Sequence, residues 1–352
     1  MEPLGDAEFA PDSTYLNTSS CGLLPRRAVA AVQALAEANA TGRRGDGAGS
    51  FDSLAAARAA FGRLAGVAAE RVALGCSVSV HVGLIAASLP SGAEVLLAEG
   101  EFSSLVSPFA VRGDLRVRYA PLAELAGAVR PDTALVAVSA VQSVDGRLAD
   151  LAAVRAAAAA HGARTLVDAS QSAGWLPLDA GAYDYTVTGA FKFLMCPRGT
   201  SFLTVTEEAQ ESLVPVYAGW MAAEDPFAAN YGPVEHLARS ARRFDEAPAF
   251  LSYHGAERSL ALVEEIGVGT IHAHDTALAA RFRDGLVALG HRPVPTPGGS
   301  AIVSVPGLTH RQDDLRRAGV YLSVRAGYVR AAFHLYNSTA DVDRALDVLA
   351  GS

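Results

Sequence analysis

The sequence has 352 residues, half of them hydrophobic, so it can bury a sizeable core in one large domain with a smaller companion. A net charge of −8 with no basic block argues against nucleic-acid binding, and the apolar runs are too short and too often interrupted to span a membrane. The N-terminus is acidic and does not resemble a signal peptide, and three widely separated cysteines form no metal-ligand pair. We therefore expect a cytoplasmic protein without a metal site.

Apolar runs typical of buried strands alternate with Ala-rich helical segments through the first two thirds of the chain. The predicted strands are residues 71–75, 94–99, 115–120, 134–141, 164–169, 185–189 and 200–205. The predicted helices between them are residues 53–66, 79–89, 121–129, 149–161 and 206–212. The alternation predicts an α/β fold whose mainly parallel seven-stranded sheet is covered on both faces. Ligands of such sheets bind beyond the carboxyl ends of the strands, where residues 99–101, 139–146, 168–171 and 188–192 should converge.

The pattern changes after residue 245. Predicted helices at 251–266, 270–290, 309–318 and 339–350 surround a strand at 300–306 and a strand-like run near residues 321–335. This mixture predicts a smaller α+β domain. We expect an N-terminal arm at 1–13, a large domain at 14–245 and a small domain at 246–352.

Two residues near the predicted crevice suggest carbonyl chemistry. Lys192 lies among apolar neighbours, so burial should lower its pKa and leave a neutral amine that can attack a carbonyl. A lysine that extends from a strand end into solvent explains the same residues equally well. Asp168 ends an apolar run, where a carboxylate could pair with the ring nitrogen of pyridoxal phosphate or simply cap the next turn.

The stretches VSAVQSVDGRLADLAAV and HGARTLVDASQSAGWLPLDAGAYDYTVTGAFKFLMCPRGTSFLTV together resemble class-V aminotransferase-type enzymes. These are pyridoxal-phosphate enzymes of fold type I that include cysteine desulfurases, selenocysteine lyases and isopenicillin N epimerase. The resemblance extends from TYLNTSSCGLLP at 14–25 to VRAAFHLYNSTADVDRAL at 329–346. Its most specific part is the Asp-x-x-Gln segment with the lysine that follows. The resemblance implies fold type I, pyridoxal phosphate as the cofactor and a homodimer.

The resemblance also implies roles for single residues around the cofactor ring. Lys192 would form the internal aldimine and later transfer protons. Asp168 would pair with the pyridine nitrogen, and Gln171 and Gln142 would approach the phenolic oxygen. Phe102 occupies the position where many relatives stack a ring on the cofactor, although a core phenylalanine is nearly as common there.

A helix that follows a strand directly, at GCSVSVHVGL, would hold the phosphate at its N-terminus. The resemblance gives the backbone N–H groups of Cys76 and Ser77, with the hydroxyl of Ser77 or Ser79, to the phosphate. A serine N-cap is the structural alternative, and it is compatible with phosphate binding. Thr188 is a further candidate for a phosphate contact.

Substrate binding is expected from two arginines and the N-terminal loop. Arg330 matches the family's carboxylate-binding arginine, which suits the planar guanidinium. Arg325 is a candidate for a second acid group on the substrate. Asn17 lies in the loop that closes over the substrate in the family.

Three departures from the family pattern bear on function. Relatives often have His before the lysine and Ser three before it, where this sequence has Phe191 and Gly189. The partner-subunit segment Gly-Thr-Pro is replaced by Glu-Ala-Pro at 246–248, which removes a hydroxyl expected to reach the neighbouring phosphate. No cysteine follows residue 196, and Cys21 does not match the desulfurase nucleophile, so desulfurase activity is not expected.

These features predict an enzyme that acts on an α-amino acid or amino-acid conjugate through a Cα carbanion. Transamination and C–S β-elimination are the favoured reactions. Epimerisation is the alternative within the family, and the replaced positions also allow a non-catalytic binding protein. We hypothesise that five aromatic residues line a pocket for a bulky substrate, although a place in the core is the ordinary interpretation of each: Phe109, Tyr217, Trp220, Tyr253 and Tyr328.

Overall fold

The computed structural model describes residues 1–5, 7–43 and 51–351. Its strands are β1 Thr14–Tyr15, β2 Val72–Gly75, β3 Glu94–Ala98, β4 Arg116–Ala120, β5 Thr133–Ser139, β6 Arg164–Asp168, β7 Tyr185–Gly189, β8 Ser201–Val205, β9 Ile302–Pro306, β10 Val320–Tyr321, β11 Ser323–Arg325 and β12 Tyr328–Ala332. Its α-helices are α1 Arg26–Ala40, α2 Phe51–Ala65, α3 Val78–Ser88, α4 Ser103–Ala110, α5 Leu151–His161, α6 Glu207–Gln210, α7 Phe250–Ile266, α8 Val268–Ala288, α9 Gln312–Arg317 and α10 Thr339–Ala350.

The seven strands β2 to β8 form one sheet in the order β2-β8-β7-β6-β5-β3-β4. The neighbours from β7 across to β4 are parallel, whereas β8 is antiparallel to both β2 and β7. The predicted α/β fold with a mainly parallel seven-stranded sheet is therefore confirmed. Each predicted strand lies within two residues of its observed bounds.

Alternate residues of the central strands pack on opposite faces of the sheet, as strand geometry requires. On β5, Leu135 and Ala137 pack with α3, while Val136 and Val138 pack with α5. The carboxyl ends of β3, β5, β6 and β7 lie at one edge. Residues that follow these strands therefore meet in one crevice.

A second sheet, in the order β11-β12-β9, is antiparallel and packs with α8 and α10 in its own core. The short strand β1 pairs with β10, so the N-terminal segment joins this smaller unit. The helix α7 packs instead against α1 and α2 of the larger unit. The chain therefore crosses between the two units more than once, and α7 lies with the larger unit although the predicted boundary precedes it.

Three helical segments differ from the prediction. Residues 121–129 form two short 3₁₀ turns and no α-helix, because Pro121 precedes them and Gly127 interrupts them. The helices α1 and α4 were not predicted; α4 contains Pro108. No helix among the described residues is long and apolar enough to cross a membrane.

Candidate active site

Lys192 lies in the loop after β7 and is 8% exposed. Its Nζ atom lies 5.4 Å from the ring centre of Phe102 and 5.8 Å from that of Phe191. Burial lowers the pKa of Lys192 to about 8; the charge of Asp168 opposes this lowering, and Arg330 adds to it. Lys192 is also the one lysine in the sequence, a further signal that singles it out. The amine therefore loses its proton more easily than an ordinary lysine does, as the apolar neighbours in the sequence predicted. It also lies close to two aromatic rings.

Asp168 ends β6 and is buried next to the crevice. Its Oδ1 atom accepts a hydrogen bond from the backbone N–H of Ser170 at 2.8 Å. In the parallel register, Asp168 pairs with Ser139 of β5 and with Val187 of β7. The carboxylate that acts electrostatically on Lys192 is thus fixed at the centre of the sheet edge.

A second acid, Glu101, lies beside Asp168 and was not among the predicted site residues. Its carboxylate accepts hydrogen bonds from Ser139 N at 2.7 Å, Ser139 Oγ at 2.5 Å and Gln142 Nε2 at 2.7 Å. Burial raises the pKa of Glu101 to about 7, and the charge of Asp168 raises it further while the three hydrogen bonds lower it. The sequence signal was an acid at a strand's carboxyl end, directly before Phe102.

Gln142 and Gln171 are both buried at the crevice. The Gln171 nitrogen donates to the Ser19 carbonyl at 3.0 Å and to Ser143 Oγ at 3.1 Å. The Gln142 nitrogen donates to the Glu101 carboxylate. Neither amide oxygen receives a hydrogen bond from the described residues, and the same holds for Asn17 Oδ1 and Ser19 Oγ. Buried polar atoms normally have partners, so this cluster indicates a place for a polar ligand.

Arg330 lies on β12 and reaches the crevice from the smaller unit. Its guanidinium donates to Ser323 Oγ at 3.1 Å, to Ser20 Oγ at 3.0 Å and to the backbone carbonyl of Ser143. Burial lowers the pKa of Arg330 to about 10, and the positive charge of Arg325 lowers it further. Arg325 is exposed on β11. The two arginines predicted to bind the substrate therefore lie on neighbouring strands, and Arg330 is the buried one.

The start of α3 is the predicted phosphate site. Ser77 is the N-cap in an extended conformation, and its own side chain makes no capping hydrogen bond. The hydroxyls of Ser77 and Ser79 lie 3.1 Å apart. The Cys76 N–H, however, donates to Oε1 of Glu246 at 2.5 Å. A carboxylate of this chain therefore lies where phosphate oxygens are expected, and in the sequence Glu246 stands out only as part of a departure from the family pattern.

The structure does not support the expected phosphate contact of Thr188. Thr188 and Thr186 lie on the same face of β7 and line a small apolar cavity with Phe61 and Leu64. Gly189 is on the other face, and a Cβ atom there would lie 3.4 Å from both Val78 and Ser170 Oγ. Side chains alternate along a strand, so Thr188 points away from the start of α3.

The backbone around Lys192 is held from two sides. The Gly22 N–H donates to the Phe191 carbonyl at 2.9 Å, and a Cβ at Gly22 would collide with the Lys192 carbonyl oxygen. From the smaller unit, His334 Nε2 lies 2.8 Å from the Phe193 carbonyl oxygen. The lysine is therefore positioned by the N-terminal segment and the smaller unit together.

The hypothesis of an aromatic pocket is wrong for two of its five residues. Phe109 and Tyr253 are fully buried in the two cores of the larger unit, and the Tyr253 hydroxyl contacts the carbonyls of Gly75 and Ser201. Trp220 packs in an aromatic cluster with Phe51 and Phe227. Tyr217 is exposed, and Tyr328 is partly buried on β12.

Over the described part of the chain, no three His, Cys, Asp or Glu side chains group as metal ligands.

Several known proteins are similar to this chain in sequence. The model of the class-V aminotransferase family matches residues 15–345. The uncharacterised aminotransferase YcbU of Bacillus subtilis is 28% identical over 314 residues, which cover 84% of this chain and 82% of that protein. Kynureninase of Deinococcus radiodurans is 31% identical over 292 residues, which cover 77% of this chain and 70% of that protein.

A solved structure shows the same fold at lower sequence identity. The cystine C–S lyase C-DES, in complex with its product cysteine persulfide, superposes with a TM-score of 0.87. It is 24% identical, and the match covers 97% of this chain and 98% of that one.

Proposed function

The chain belongs to the class-V aminotransferase family, and on that premise we propose that it is a pyridoxal-phosphate enzyme acting on an α-amino acid or amino-acid conjugate. The favoured reactions are transamination and C–S β-elimination. The observation that carries this proposal is a buried lysine of lowered pKa that shares one crevice with a buried carboxylate, Asp168, and a buried arginine, Arg330.

The residues at the crevice fit pyridoxal phosphate. Asp168 would face the pyridine nitrogen, Lys192 the aldehyde and Phe102 the ring. The amide oxygens of Gln142 and Gln171, buried and without a hydrogen bond from the described residues, would take polar groups of the cofactor. The start of α3 at Ser77, whose own hydroxyl caps no backbone N–H, would take the phosphate, since a helix N-terminus attracts anions. When bound, the cofactor supplies an electron sink that stabilises negative charge at the substrate Cα.

The chain's own groups divide the remaining work. Lys192, with a pKa of about 8, is partly neutral near physiological pH and can therefore accept a proton from Cα and return it. Arg330 would bind the substrate carboxylate; the hydroxyls of Ser20 and Ser323 already fix the direction of its guanidinium. The segment around Gly22 covers the Lys192 backbone, which limits the access of water from that side.

Cysteine-dependent desulfurase chemistry is not proposed. Burial raises the pKa of the Cys196 thiol far above its ordinary value, so it is held protonated. Burial and the Glu246 carboxylate also raise the pKa of Cys76. Cys21 is partly buried in the N-terminal segment and contacts the Gly22 carbonyl. A thiolate nucleophile is thus not supported at Cys76 or Cys196.

A homodimer is part of the proposal. Large hydrophobic side chains are exposed between residues 214 and 231, namely Val214, Val216, Tyr217, Phe227 and Tyr231. Several large exposed apolar side chains in one part of the chain are typical of a protein–protein interface. Light scattering of the purified protein tests this part directly.

The reaction is tested by incubating cofactor-loaded protein with single amino acids and measuring keto acid, ammonia, sulfide and optical rotation. Transamination gives more than one equivalent of keto acid per enzyme only with an acceptor keto acid present, whereas β-elimination gives ammonia and a released thiol or persulfide without one. Loss of optical rotation alone would replace both reactions with epimerisation. Loaded protein that changes none of these over a full amino-acid panel would favour a binding protein. The variant Lys192→Ala is the control for each activity.

A further inference from the structure

The Gln142 amide is held in one orientation by its neighbours. Its nitrogen donates to Glu101 Oε1 at 2.7 Å, and its oxygen is buried without a hydrogen bond from the described residues. The side chain is completely buried, so the oxygen cannot be satisfied by bulk water. In this orientation the amide offers an acceptor, and a ligand group next to it must be a hydrogen-bond donor.

Glu101 determines that orientation because of what surrounds its carboxylate. Oε1 of Glu101 also accepts a hydrogen bond from the backbone N–H of Ser139 at 2.7 Å. Oε2 of Glu101 lies 2.5 Å from Ser139 Oγ. An N–H group can only donate, so an ionised carboxylate satisfies the Ser139 N–H and the Gln142 nitrogen at once. If the carboxyl group carries a proton on Oε1, it can donate to the Gln142 oxygen instead, and the amide can then reverse.

Gln171 provides the contrast within the same site. Its nitrogen donates to the backbone carbonyl of Ser19, which has no proton to give. The Gln171 amide therefore cannot reverse without losing that bond, and its oxygen remains an acceptor at every pH. Gln142 is the amide whose orientation a proton can change.

The charges around Glu101 favour such a change near neutral pH. Asp168 reaches the same place from the end of β6, because Ser139, which binds Glu101, is its register partner on β5. Burial raises the pKa of Glu101 to about 7, and the negative charge of Asp168 contributes to the rise. Asp168 also attracts the charge of Lys192, which lies in the loop after β7. The charges of Arg330 on β12 and of Arg198 repel the Lys192 ammonium group.

We propose that Glu101 is a positioning residue that decides, by gaining or losing one proton, which end of the Gln142 amide faces the bound ligand. The inference rests on the proposed function, since the ligand group considered is the phenolic oxygen of pyridoxal phosphate. Glu101 exchanges this proton with solvent. With Glu101 ionised, the Gln142 oxygen would face the phenolic oxygen and favour its protonated form. With Glu101 protonated, the Gln142 nitrogen would face the phenolic oxygen and favour its ionised form. The amide reverses when Glu101 gains or loses its proton, and the proton affinity of the phenolic oxygen changes with it.

The substitution Glu101→Gln separates this coupling from simple packing. The new side chain can accept from Ser139 N and Gln142 Nε2 with its oxygen and donate to Ser139 Oγ with its nitrogen, so all three bonds are kept. It cannot release a proton. Gln142 would then stay with its oxygen toward the ligand, and the proton affinity of the phenolic oxygen would no longer depend on position 101.

The test is a titration of the visible absorption of cofactor-loaded protein from about pH 6 to about pH 9. We expect a transition near neutrality in the wild type that Glu101→Gln abolishes or moves by about one pH unit or more. Glu99→Gln changes an exposed acid two positions earlier and is expected to titrate as the wild type. An unchanged transition in Glu101→Gln would overturn the inference.

A second variant, Gln142→Leu, decides the matter if Glu101→Gln fails to fold. It leaves the carboxyl group in place and removes the amide, so we expect the absorption change on titration to shrink. A change equal to that of the wild type would overturn the inference. A wild-type protein that shows no cofactor band at any pH would instead contradict the proposed function, so the two failures are distinguishable.

Discussion

His334 connects the smaller unit to the residue that follows Lys192. Its Nε2 atom lies 2.8 Å from the Phe193 carbonyl oxygen, and its Nδ1 atom lies 2.9 Å from Oδ2 of Asp275 on α8. A carbonyl only accepts, so Nε2 carries a hydrogen. Both His334 and Asp275 are fully buried, and the pair therefore fixes the lysine loop from a rigid, dry position.

Removing His334 should destabilise the fold and loosen the lysine loop. His334→Ala leaves the Asp275 carboxyl group buried without its imidazole, and breaking one partner of a buried pair costs about 3 kcal/mol. We expect the free energy of unfolding in urea to fall by roughly that amount. Amide exchange at Phe193 and Leu194 should become faster. His310→Ala, at an exposed position, is the matched control and should change neither quantity.

The pKa of Lys192 can be measured without interference from other lysines. Reductive ¹³C-methylation labels two amines in this chain, Lys192 and the N-terminus. The signal that is lost in the variant Lys192→Arg belongs to Lys192, and the one that remains belongs to the N-terminus. We expect the Lys192 signal to titrate near pH 8, because burial lowers its pKa. In Asp168→Asn the opposing negative charge is lost, so the midpoint should fall further. A midpoint near the ordinary lysine value of about 10.4 would contradict the proposed desolvation.

Glu246 should weaken the binding of the cofactor phosphate. Its carboxylate accepts from the Cys76 N–H, a donor that the phosphate would otherwise use, and two anions repel at a helix start. We expect Glu246→Gln to bind pyridoxal phosphate about 5-fold more tightly, corresponding to about 1 kcal/mol. Unphosphorylated pyridoxal should bind wild type and variant alike. Absorbance titration of both ligands measures this, with Glu235→Gln, an exposed acid, as the control. Weaker phosphate binding in Glu246→Gln would assign Glu246 a supporting role instead.

Arg330 should act on the substrate and leave the cofactor unchanged. A lysine at this position keeps the charge and loses the planar pair of donors, which is expected to cost about 2 to 3 kcal/mol of substrate binding. For Arg330→Lys we expect kcat/KM to fall about 30- to 100-fold, with an unaltered absorption spectrum. Arg325→Lys, on the exposed neighbour, should have a much smaller effect for a substrate with a single carboxylate. Equal losses in the two variants would indicate that the substrate carries a second acid group at Arg325.

The strands of the large sheet could be predicted from the sequence because strands buried on both faces are continuous apolar runs. The helix expected at 121–129 was wrong since proline and glycine there break the helical pattern. The place of Asp168 at the ligand-binding edge could be predicted because parallel strands share that edge, whereas Gln142 was expected there from the family resemblance.

The missing parts of the site depend on contacts between distant segments. Glu101 gains its role from Ser139 and Gln142, which are 38 and 41 positions away in the sequence. Glu246 meets Cys76 across 170 positions. A position at the carboxyl edge of the sheet was the one local signal for Glu101, and the contacts of both glutamates are visible only in the fold. Thr188 was a candidate for a phosphate contact, but its side chain lies on the face of β7 away from α3, because one residue of register decides the side of the sheet.

The most direct test of the central claim is to locate the site of cofactor attachment. The protein is mixed with pyridoxal phosphate, reduced with borohydride, digested and analysed by mass spectrometry. We expect the pyridoxyl group on the peptide that contains Lys192, the one lysine in the sequence, and no such product in Lys192→Arg. An unlabelled Lys192, or label confined to the N-terminal amine, would contradict the account.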